Sequence, residues 1–530
     1  MDEIYSLPSE VEEGNIEYKR QVDGLTPDKI IKFKTQMLWR MAQGRNKTGI
    51  EEAIYYIGIE DNGSISGVTI ENINNSIKNF SQIVKLCNAE IHSTKILDTD
   101  KGMVSVIRVR KLEDYLVKDE IKVGLLGASN TGKTTFLGSI TYDILDDGDG
   151  SARSSMFRHN HEKINGTTSS IKYEIFGYSD NKYINYNSGF IASWEYIVKN
   201  SNKIINFIDL PGNSKYLKTT VFGLMAHRPD YILLFISLQN IYNDKTDVLT
   251  LDDDTKLYIN LCLKLNIPFG IILTKSDLIT DNVFDKIIPR VQNIINSETC
   301  IVQNESNINS LNNEITPIIS ISSLSNKNID LVKLLLKNIN VKHYPINDNR
   351  HTTEFMINDI IFISDVGVVV TGILNDGRIK VGNRLLIGPI NKTFYNTEIV
   401  SIHKKQIPSK YIYQGEMGSI VIKLDNKIDI NKHLLIISPD KLVNLRNKFK
   451  ILIKKENYIE LKKEHNLMMF CKNIYDSIII DDIVEYTTEI LLSVRFHNNN
   501  IQLINSNDYV CIRYNTSVII GIILVEHHLA

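Results

Sequence analysis

The sequence predicts a central α/β domain, two small β-barrels after it and a small α+β unit before it. Three observations lead there. Between about 121 and 321, short apolar strands alternate with helical stretches. That alternation gives a parallel sheet with helices on both faces. After about 345 helical spacing nearly vanishes, and Val/Ile-rich runs broken by Gly, Asn and Asp continue to the end. Such runs build small barrels or sandwiches. The chain's 530 residues are also too many for one core; at about 150 residues per domain, three or four are expected.

Each element follows in order. Residues 26–43 carry Ile30, Ile31, Phe33, Met37, Leu38 and Met41 at helical spacing. AIYYIGIE (53–60) reads as a strand, Asp61-Asn62-Gly63 as a turn, and 64–70 as a returning strand. A helix over 73–89 and a strand over 103–110 complete a unit of residues 1–117. The α/β domain, 118–343, has strands at 121–126, 204–208, 231–237, 268–273 and 315–321, and closes with a helix over 328–339. The barrels are placed at 350–438 and 439–530, because Pro439 and Asp440 punctuate the stretch 438–445.

Composition narrows the function. Hydrophobic residues are 43% and charged residues 23%, as in ordinary globular chains. The net charge of −2 excludes a global attraction to DNA or RNA, so any RNA contact must use a local basic patch. Cys87, Cys262, Cys300, Cys471 and Cys511 are far apart and form no CxxC pair. That argues against a disulfide framework or zinc site and for a reducing, cytoplasmic setting. The acidic start MDEIYSLPSEVEEGN resembles neither a signal nor a transit peptide. No apolar run reaches the roughly 18 residues of a membrane span.

The chemistry is carried by four motifs in order. GASNTGKT comprises Gly127, Ala128, Ser129, Asn130, Thr131, Gly132, Lys133 and Thr134, with Thr135 following. It comes after the strand IKVGLL and opens the helical FLGSITYDIL, the context that the G-x-x-x-x-G-K-[ST] pattern requires. Its glycines let the backbone wrap a phosphate, and the helix N-terminus adds positive potential. Lys133 is expected to reach the β- and γ-phosphates, and the Thr134 hydroxyl to bind Mg2+. Asp209-Leu210-Pro211-Gly212 follows the strand IINFI. Asp209 is expected to hold the magnesium and Gly212 to give its N–H to the γ-phosphate. Thr274-Lys275-Ser276-Asp277 ends the strand FGIIL. The Asp277 carboxylate can accept from guanine N1 and N2, a donor pair adenine lacks, so the nucleotide is GTP and an ATPase is disfavoured. Lys275 would lie along the base, and Thr274, where Asn is commoner, keeps a hydroxyl for the loop. Ser322-Ser323-Leu324 follows ITPIISI, with the Ser323 N–H placed for guanine O6. A threonine should complete the magnesium shell; Thr168 is preferred, with Thr167 as competitor.

With these motifs in place, the chain resembles the translational GTPases of the elongation factor Tu superfamily, and within them the GTP-binding protein 1 and 2 subgroup. LPSEVEEGNIEYK (7–19), TQMLWRMAQGR (35–45) and YYIGIEDNGSISG (55–67) are similar to that subgroup's N-terminal region. MFRHNHEKINGTTSS (156–170) resembles its switch segment, which implies Thr168 as the switch threonine, and KYLKTTVFGL (215–224) the helix after the magnesium aspartate. ISSLSNKNIDLVK (321–333) resembles the guanine loop, and GVVVTGILNDGRIKVGNRLLIGP (367–389) the second-domain barrel. The resemblance implies an α/β P-loop GTPase domain followed by two barrels. It also implies a monomeric switch that hydrolyses GTP while meeting aminoacyl-tRNA, the ribosome or mRNA turnover. The alternative is a GTP-dependent adaptor with little hydrolysis that binds proteins of RNA turnover.

Two positions depart from the superfamily. Asn213 stands where a His normally positions the attacking water. As a catalytic residue beside Lys133 and Thr168, Asn213 could orient water but carry no proton, so slow or partner-dependent hydrolysis is expected; otherwise it caps the next helix. Asn130 stands where Asp is usual; it could bind K+ beside the phosphates, or be an Asn tolerated in a tight loop. Lesser features read as structural. His403, Lys404, Lys405 and Lys410, and Lys448, Lys450, Lys454 and Lys455, read as solvated strand faces in preference to RNA patches. His159 and His161 lack a third ligand and read as an RNA contact or plain solvent exposure, Trp39 reads as core, and Asp146, Asp147 and Asp149 as a turn in preference to a calcium site.

Overall fold

The computed structural model describes residues 7–525 except 12, 49–50, 88, 112–118, 155, 158–161, 163, 165, 181, 189–192, 244–247, 250, 280–285, 287, 290, 294, 296–297, 313–314, 341–351, 365, 425–429, 431–433, 456–460, 499 and 515–516. His159 and His161 lie outside the described residues. Residue contacts divide the chain into two units, Met1–Val117 and Lys118–Ala530.

The first unit runs β1 (Ile16–Lys19), α1 (Pro27–Thr48), β2 (Glu52–Ile57), α2 (Ile70–Leu86), β3 (Ala89–Thr99) and β4 (Gly102–Lys111). Among the described residues these strands form a sheet in the order β1-β2-β4-β3, with β1 parallel to β2. The helical spacing read from Met37 and Met41 is core spacing: both are fully buried with Tyr55, Phe80 and Ile107. Trp39, expected in that core, is 41% exposed, because it sits on the opposite face, with the Arg40 guanidinium 5.1 Å from its ring. The returning strand at 64–70 is replaced by two isolated bridges, Ile59 to Ile65 and Val68 to Met103. Gly63 (φ 82°) and Gly67 (φ 59°) break it. The sequence reading missed β3, whose residues are mostly exposed and show no alternation.

In the second unit come β5 (Asp119–Leu126), α3 (Lys133–Tyr142), β6 (Lys172–Ser179), β7 (Lys182–Ile184), α4 (Trp194–Asn200), β8 (Lys203–Asp209), α5 (Leu217–His227), β9 (Tyr231–Ser237), α6 (Asp253–Lys264), β10 (Phe269–Thr274), β11 (Thr299–Ile301), β12 (Thr316–Ser320) and α7 (Ile329–Asn338). Among the described residues they make an eight-stranded sheet, β11-β12-β10-β9-β5-β8-β6-β7. It is parallel except at one edge, where β6 runs antiparallel to β8 and to β7. The expected all-parallel sheet is therefore corrected: KYEIFGYS forms a hairpin strand on that edge. Two apolar clusters cover the two faces, one built on Leu234, Ile271 and Val221, the other on Leu125, Phe136 and Leu336.

Twelve of the remaining strands close two barrels. The first joins β13 (Glu354–Ile363), β14 (Gly367–Asp376), β15 (Arg384–Ile390), β16 (Thr393–Lys404), β17 (Met417–Leu424) and β18 (Leu435–Ile437) in the ring β15-β18-β13-β14-β17-β16, closed by β15 against β16. The second joins β19 (Lys448–Lys454), β20 (Asn466–Cys471), β21 (Ile474–Glu485), β22 (Glu489–Phe496), β23 (Tyr509–Tyr514) and β24 (Ser517–Leu524) in the ring β19-β22-β21-β20-β23-β24. A 3-10 turn, Pro439–Asn444, lies between them. The second barrel packs on the α/β domain through Phe470, Cys511 and Ile520, which join the cluster of Leu217 and Leu224. Buried charge ties the parts together: Lys472 lies 2.9 Å from both Glu354 and Asp508. Of the basic residues of the first barrel, Lys410 is exposed, as expected of a solvated face, but Lys404 and Lys405 are not part of one. Lys405 reaches Glu120 of the α/β domain at 2.6 Å, and Lys404 meets Glu416 at 2.9 Å. Among the described residues, no helix is long and apolar enough to cross a membrane.

Candidate functional site: a guanine-nucleotide cradle at the strand ends

The C-terminal ends of β8, β5, β9, β10 and β12 lie side by side, with Leu125 opposite Asp209 and Leu273 opposite Ser320. Every nucleotide motif follows one of these ends, the edge where open α/β sheets place ligands. The loop after β5 turns through three left-handed residues, Gly127 (φ 147°), Asn130 (φ 62°) and Gly132 (φ 86°). A Cβ at Gly127 would stand 2.3 Å from the Phe235 carbonyl oxygen, so only glycine fits. Gly132 begins α3 without a side-chain cap, which leaves the first backbone N–H groups free for an anion.

Ser129, Asn130, Thr131, Gly132, Lys133, Thr134 and Thr135 line one cavity together with Gly166, Thr167, Thr168 and Gly212. Gly127 and Ala128 stand behind it; their carbonyls accept from the Lys133 ammonium, each at 2.8 Å. Burial pushes Lys133 down to about 8, against the Asp209 carboxylate that raises it. The Thr134 hydroxyl lies 2.8 Å from Asp209 Oδ2 and 2.8 Å from the Thr168 hydroxyl. Of the two threonines weighed from the sequence, Thr168 is thus the one bonded to Thr134, which in turn bonds Asp209. Asp209 is fully buried, which raises its pKa, while Lys133 and the Thr134 hydroxyl lower it. Its Oδ1 is buried with no hydrogen-bond partner, an acceptor that a cation could take.

On the base side, the Thr274 hydroxyl donates to the Thr131 carbonyl at 2.8 Å, locking this strand end to the phosphate loop. Lys275 is left-handed (φ 60°), and its ammonium donates to Gln239 Oε1 at 3.0 Å. Burial and then the charge of Arg153 push its pKa down, against Asp277. The Asp277 side chain is exposed, Ser322 is fully buried and Leu324 is 49% exposed. The Ser322 hydroxyl accepts the Ser325 N–H at 3.2 Å, and the Ser323 carbonyl accepts the Asp146 N–H at 3.3 Å.

Two placements were not legible in the motifs. Asn213 does not line the cavity; its side-chain oxygen accepts the Lys215 N–H at 2.9 Å and caps the turn Ser214–Tyr216. Arg153 does line it, from a short helical turn Ser151–Ser154. No signature announces that arginine; its only sequence signal is a basic residue soon after Gly148 and Gly150, in the stretch before the switch threonine. The acidic residues beside it form the expected turn: Asp147 Oδ1 accepts N–H bonds from Asp149, Gly150 and Ser151 at 2.9, 3.0 and 3.2 Å.

The Elongation factor Tu GTP binding domain family matches residues 118–343. Over 459 residues the chain is 30% identical to GTP-binding protein 2 of Homo sapiens, covering 82% of this chain and 73% of that protein. The chain belongs to the GTP-binding protein 1 and 2 family of elongation factor Tu-type GTPases. The chain shares its fold with two solved structures. Translation elongation factor SelB from Methanococcus maripaludis, in complex with a GTP analogue, matches at TM-score 0.54 and 18% identity, over 78% of this chain and 80% of that one. The Ski7 GTPase-like domain of S. cerevisiae, bound to GTP, matches at TM-score 0.59 and 14% identity, over 77% and 98%. The GTPase domain followed by two barrels is the architecture the sequence predicted, and guanine-nucleotide binding follows from the family.

Proposed function

We propose that this chain is a cytoplasmic, monomeric GTP-hydrolysing switch that acts on aminoacyl-tRNA, the ribosome or mRNA quality control. The observation that carries the hydrolytic reading is the Thr134 hydroxyl set 2.8 Å from both Asp209 and Thr168. Thr168 belongs to the switch segment and Asp209 to the DLPG strand end, so this contact joins the two places where a γ-phosphate is sensed. The donors are all oxygens and include an unpartnered buried carboxylate oxygen, which suits Mg2+. Thr134, Thr168 and Asp209 would hold that ion, which supplies neutralising charge to the β- and γ-phosphates when bound. Lys133 would leave the carbonyls of Gly127 and Ala128 for the phosphates, and Gly212 would give its N–H to the γ-phosphate. Asp277 would select guanine, with Lys275 along the base and Ser322, Ser323 and Leu324 closing over it.

Turnover is proposed to be slow, because Asn213 must release the Lys215 N–H before it can face a water. K+ at Asn130 is a separable element of the reading; equal rates in sodium and potassium would remove it. A cleft of about 720 Å³ between the GTPase domain and the barrels includes Tyr173, Trp194, Lys218, Phe222, Lys405 and Tyr475 in its walls. Its aromatic rings suit stacking on the bases of an RNA end. Asn213, held as a cap, also favours the second reading: an adaptor that retains GTP and binds proteins of RNA turnover.

The test is phosphate release with and without ribosomes, alongside sequencing of RNA captured by the GTP-analogue-bound protein. Ribosome-stimulated release with enriched tRNA or rRNA is expected. Tight GTP retention without stimulation would favour the adaptor. Asp277→Asn is the control for the base: it should cost GTP about 3 kcal/mol of binding and improve the fit to xanthosine triphosphate.

A further inference from the structure

We propose that Arg153 is a built-in catalytic arginine, supplying in the same chain the positive charge that GTP hydrolysis needs. The inference rests on the reading of the chain as a GTPase. It begins from position: Arg153 shares the phosphate cavity with Lys133, Thr168 and Gly212, whereas Asn213 does not. The two glycines beside it are shaped around its guanidinium. A Cβ at Gly150 would stand 2.4 Å from Arg153 Nε, and one at Gly166 would stand 3.3 Å from Nη2. Both glycines are left-handed, with φ of 96° and 65°. Gly166 leads directly into Thr167 and Thr168, so the forked end of Arg153 faces the switch side of the cavity.

The backbone carrying Arg153 is fixed from three directions. Asp147 takes the N–H groups of Asp149, Gly150 and Ser151, and Asp146 Oδ1 takes that of Ala152 at 3.2 Å. The Asp146 N–H is bonded in turn to the Ser323 carbonyl of the guanine loop. On α3, a Cβ at Gly138 would stand 1.9 Å from the Ala152 carbonyl oxygen, so helix and turn meet without a side chain between them. Among the described residues no carboxylate pairs with the guanidinium, although Lys275 feels its charge. A cation carried on a turn held this firmly, beside a phosphate cavity and with no acidic partner among the described residues, is placed for phosphate oxygens.

The chemistry balances without a further reactant. A water oxygen bonds to the γ-phosphorus while the bond from that phosphorus to the β–γ bridging oxygen breaks. Negative charge builds on the bridging and γ-oxygens, and the water's proton leaves with the phosphate released. A preorganised guanidinium stabilises that charge more than the charge of bound GTP, which raises the rate and leaves affinity nearly unchanged. It supplies charge, not a base, and so is compatible with an Asn in place of the usual His.

Single-turnover hydrolysis of preloaded GTP tests this, with and without ribosomes. Arg153→Ala is expected to lower the rate about 1000-fold with GDP affinity unchanged, and to lose binding of GDP–aluminium fluoride, which mimics the reacting phosphoryl group. Free guanidinium ion should restore part of the rate. Arg153→Lys keeps the stem and charge but not the planar fork; it should also be slow, and it keeps the test readable if the alanine variant does not fold. Rates within about threefold of the parent for both variants, or GDP affinity falling as much as the rate, would overturn the inference while the GTPase reading stands. No turnover by the parent protein in either condition would overturn that reading and this one together.

Discussion

At the scale of single residues, the site is set by atoms that cannot be added. Gly212 has its Cα against the phosphate loop: a Cβ there would stand 2.4 Å from the Gly127 carbonyl oxygen and 2.7 Å from that of Ala128. Both obstacles are backbone, so the turn itself must retreat. Gly212→Ala is therefore expected to weaken GTP by about tenfold or more, the loss of one hydrogen bond to a charged group, and to leave GDP nearly untouched. Competition of the two nucleotides against a fluorescent analogue measures this; equal losses for GTP and GDP would contradict the γ-phosphate role.

At the scale of elements, the switch segment is held by a buried clasp. Glu162 is fully buried and Lys172, the first residue of β6, is 2% exposed; they lie 3.0 Å apart. Glu162 also accepts the Ser169 N–H and hydroxyl at 2.8 and 2.9 Å. Burial raises the Glu162 pKa, but these bonds and the Lys172 charge outweigh it and hold it at about 2. The clasp closes the loop that presents Thr168. Removing one partner of such a pair leaves the other charge buried and alone, at about 3 kcal/mol. Glu162→Gln should therefore speed amide exchange across residues 166–172 by about 100-fold. Unchanged exchange there would mean that the pair does not hold the switch.

At the scale of the whole Lys118–Ala530 unit, His227 links the GTPase domain to the first barrel. It ends α5, and its ring nitrogens lie 2.7 Å from the Tyr173 hydroxyl and 3.0 Å from the Asn358 amide nitrogen. Burial, and next the charge of Lys122, pushes its pKa from 6.5 down to about 3. The sign follows from the direction: an unfolded chain binds a proton on His227 below about 6.5 that the folded chain refuses. The stabilisation is complete above that pH and is lost as pH falls toward 3. Between pH 7.5 and 5 this one group should cost about 2 kcal/mol. The difference in pH dependence of denaturation between the parent and His227→Gln isolates it; identical slopes would refute it. The ion network of Glu354, Lys472 and Asp508 and the pair of Lys405 with Glu120 act at the same scale, across domain borders.

The sequence by itself determined the nucleotide cradle, because each motif is a short loop bound to its own strand end. Gly127 and Gly132 need left-handed backbone, Lys133 and Thr134 open a helix, and Asp209 and Asp277 each sit just beyond an apolar run. Those requirements are local, so they are written in consecutive residues, and the strand-only stretch after 345 announced the barrels in the same way. The antiparallel edge of β6 and β7 was not legible, since KYEIFGYS carries no sign of its direction. The sequence favours Thr168 over Thr167 and offers Asn213 as a cap; only the tertiary structure bonds Thr168 to Thr134, sets the Asn213 cap on the Lys215 N–H, buries Lys405 against Glu120 and brings Arg153 into the phosphate cavity. Those outcomes depend on segments distant in the chain meeting across loops and domain faces, where spacing carries no signal and only packing and charge decide.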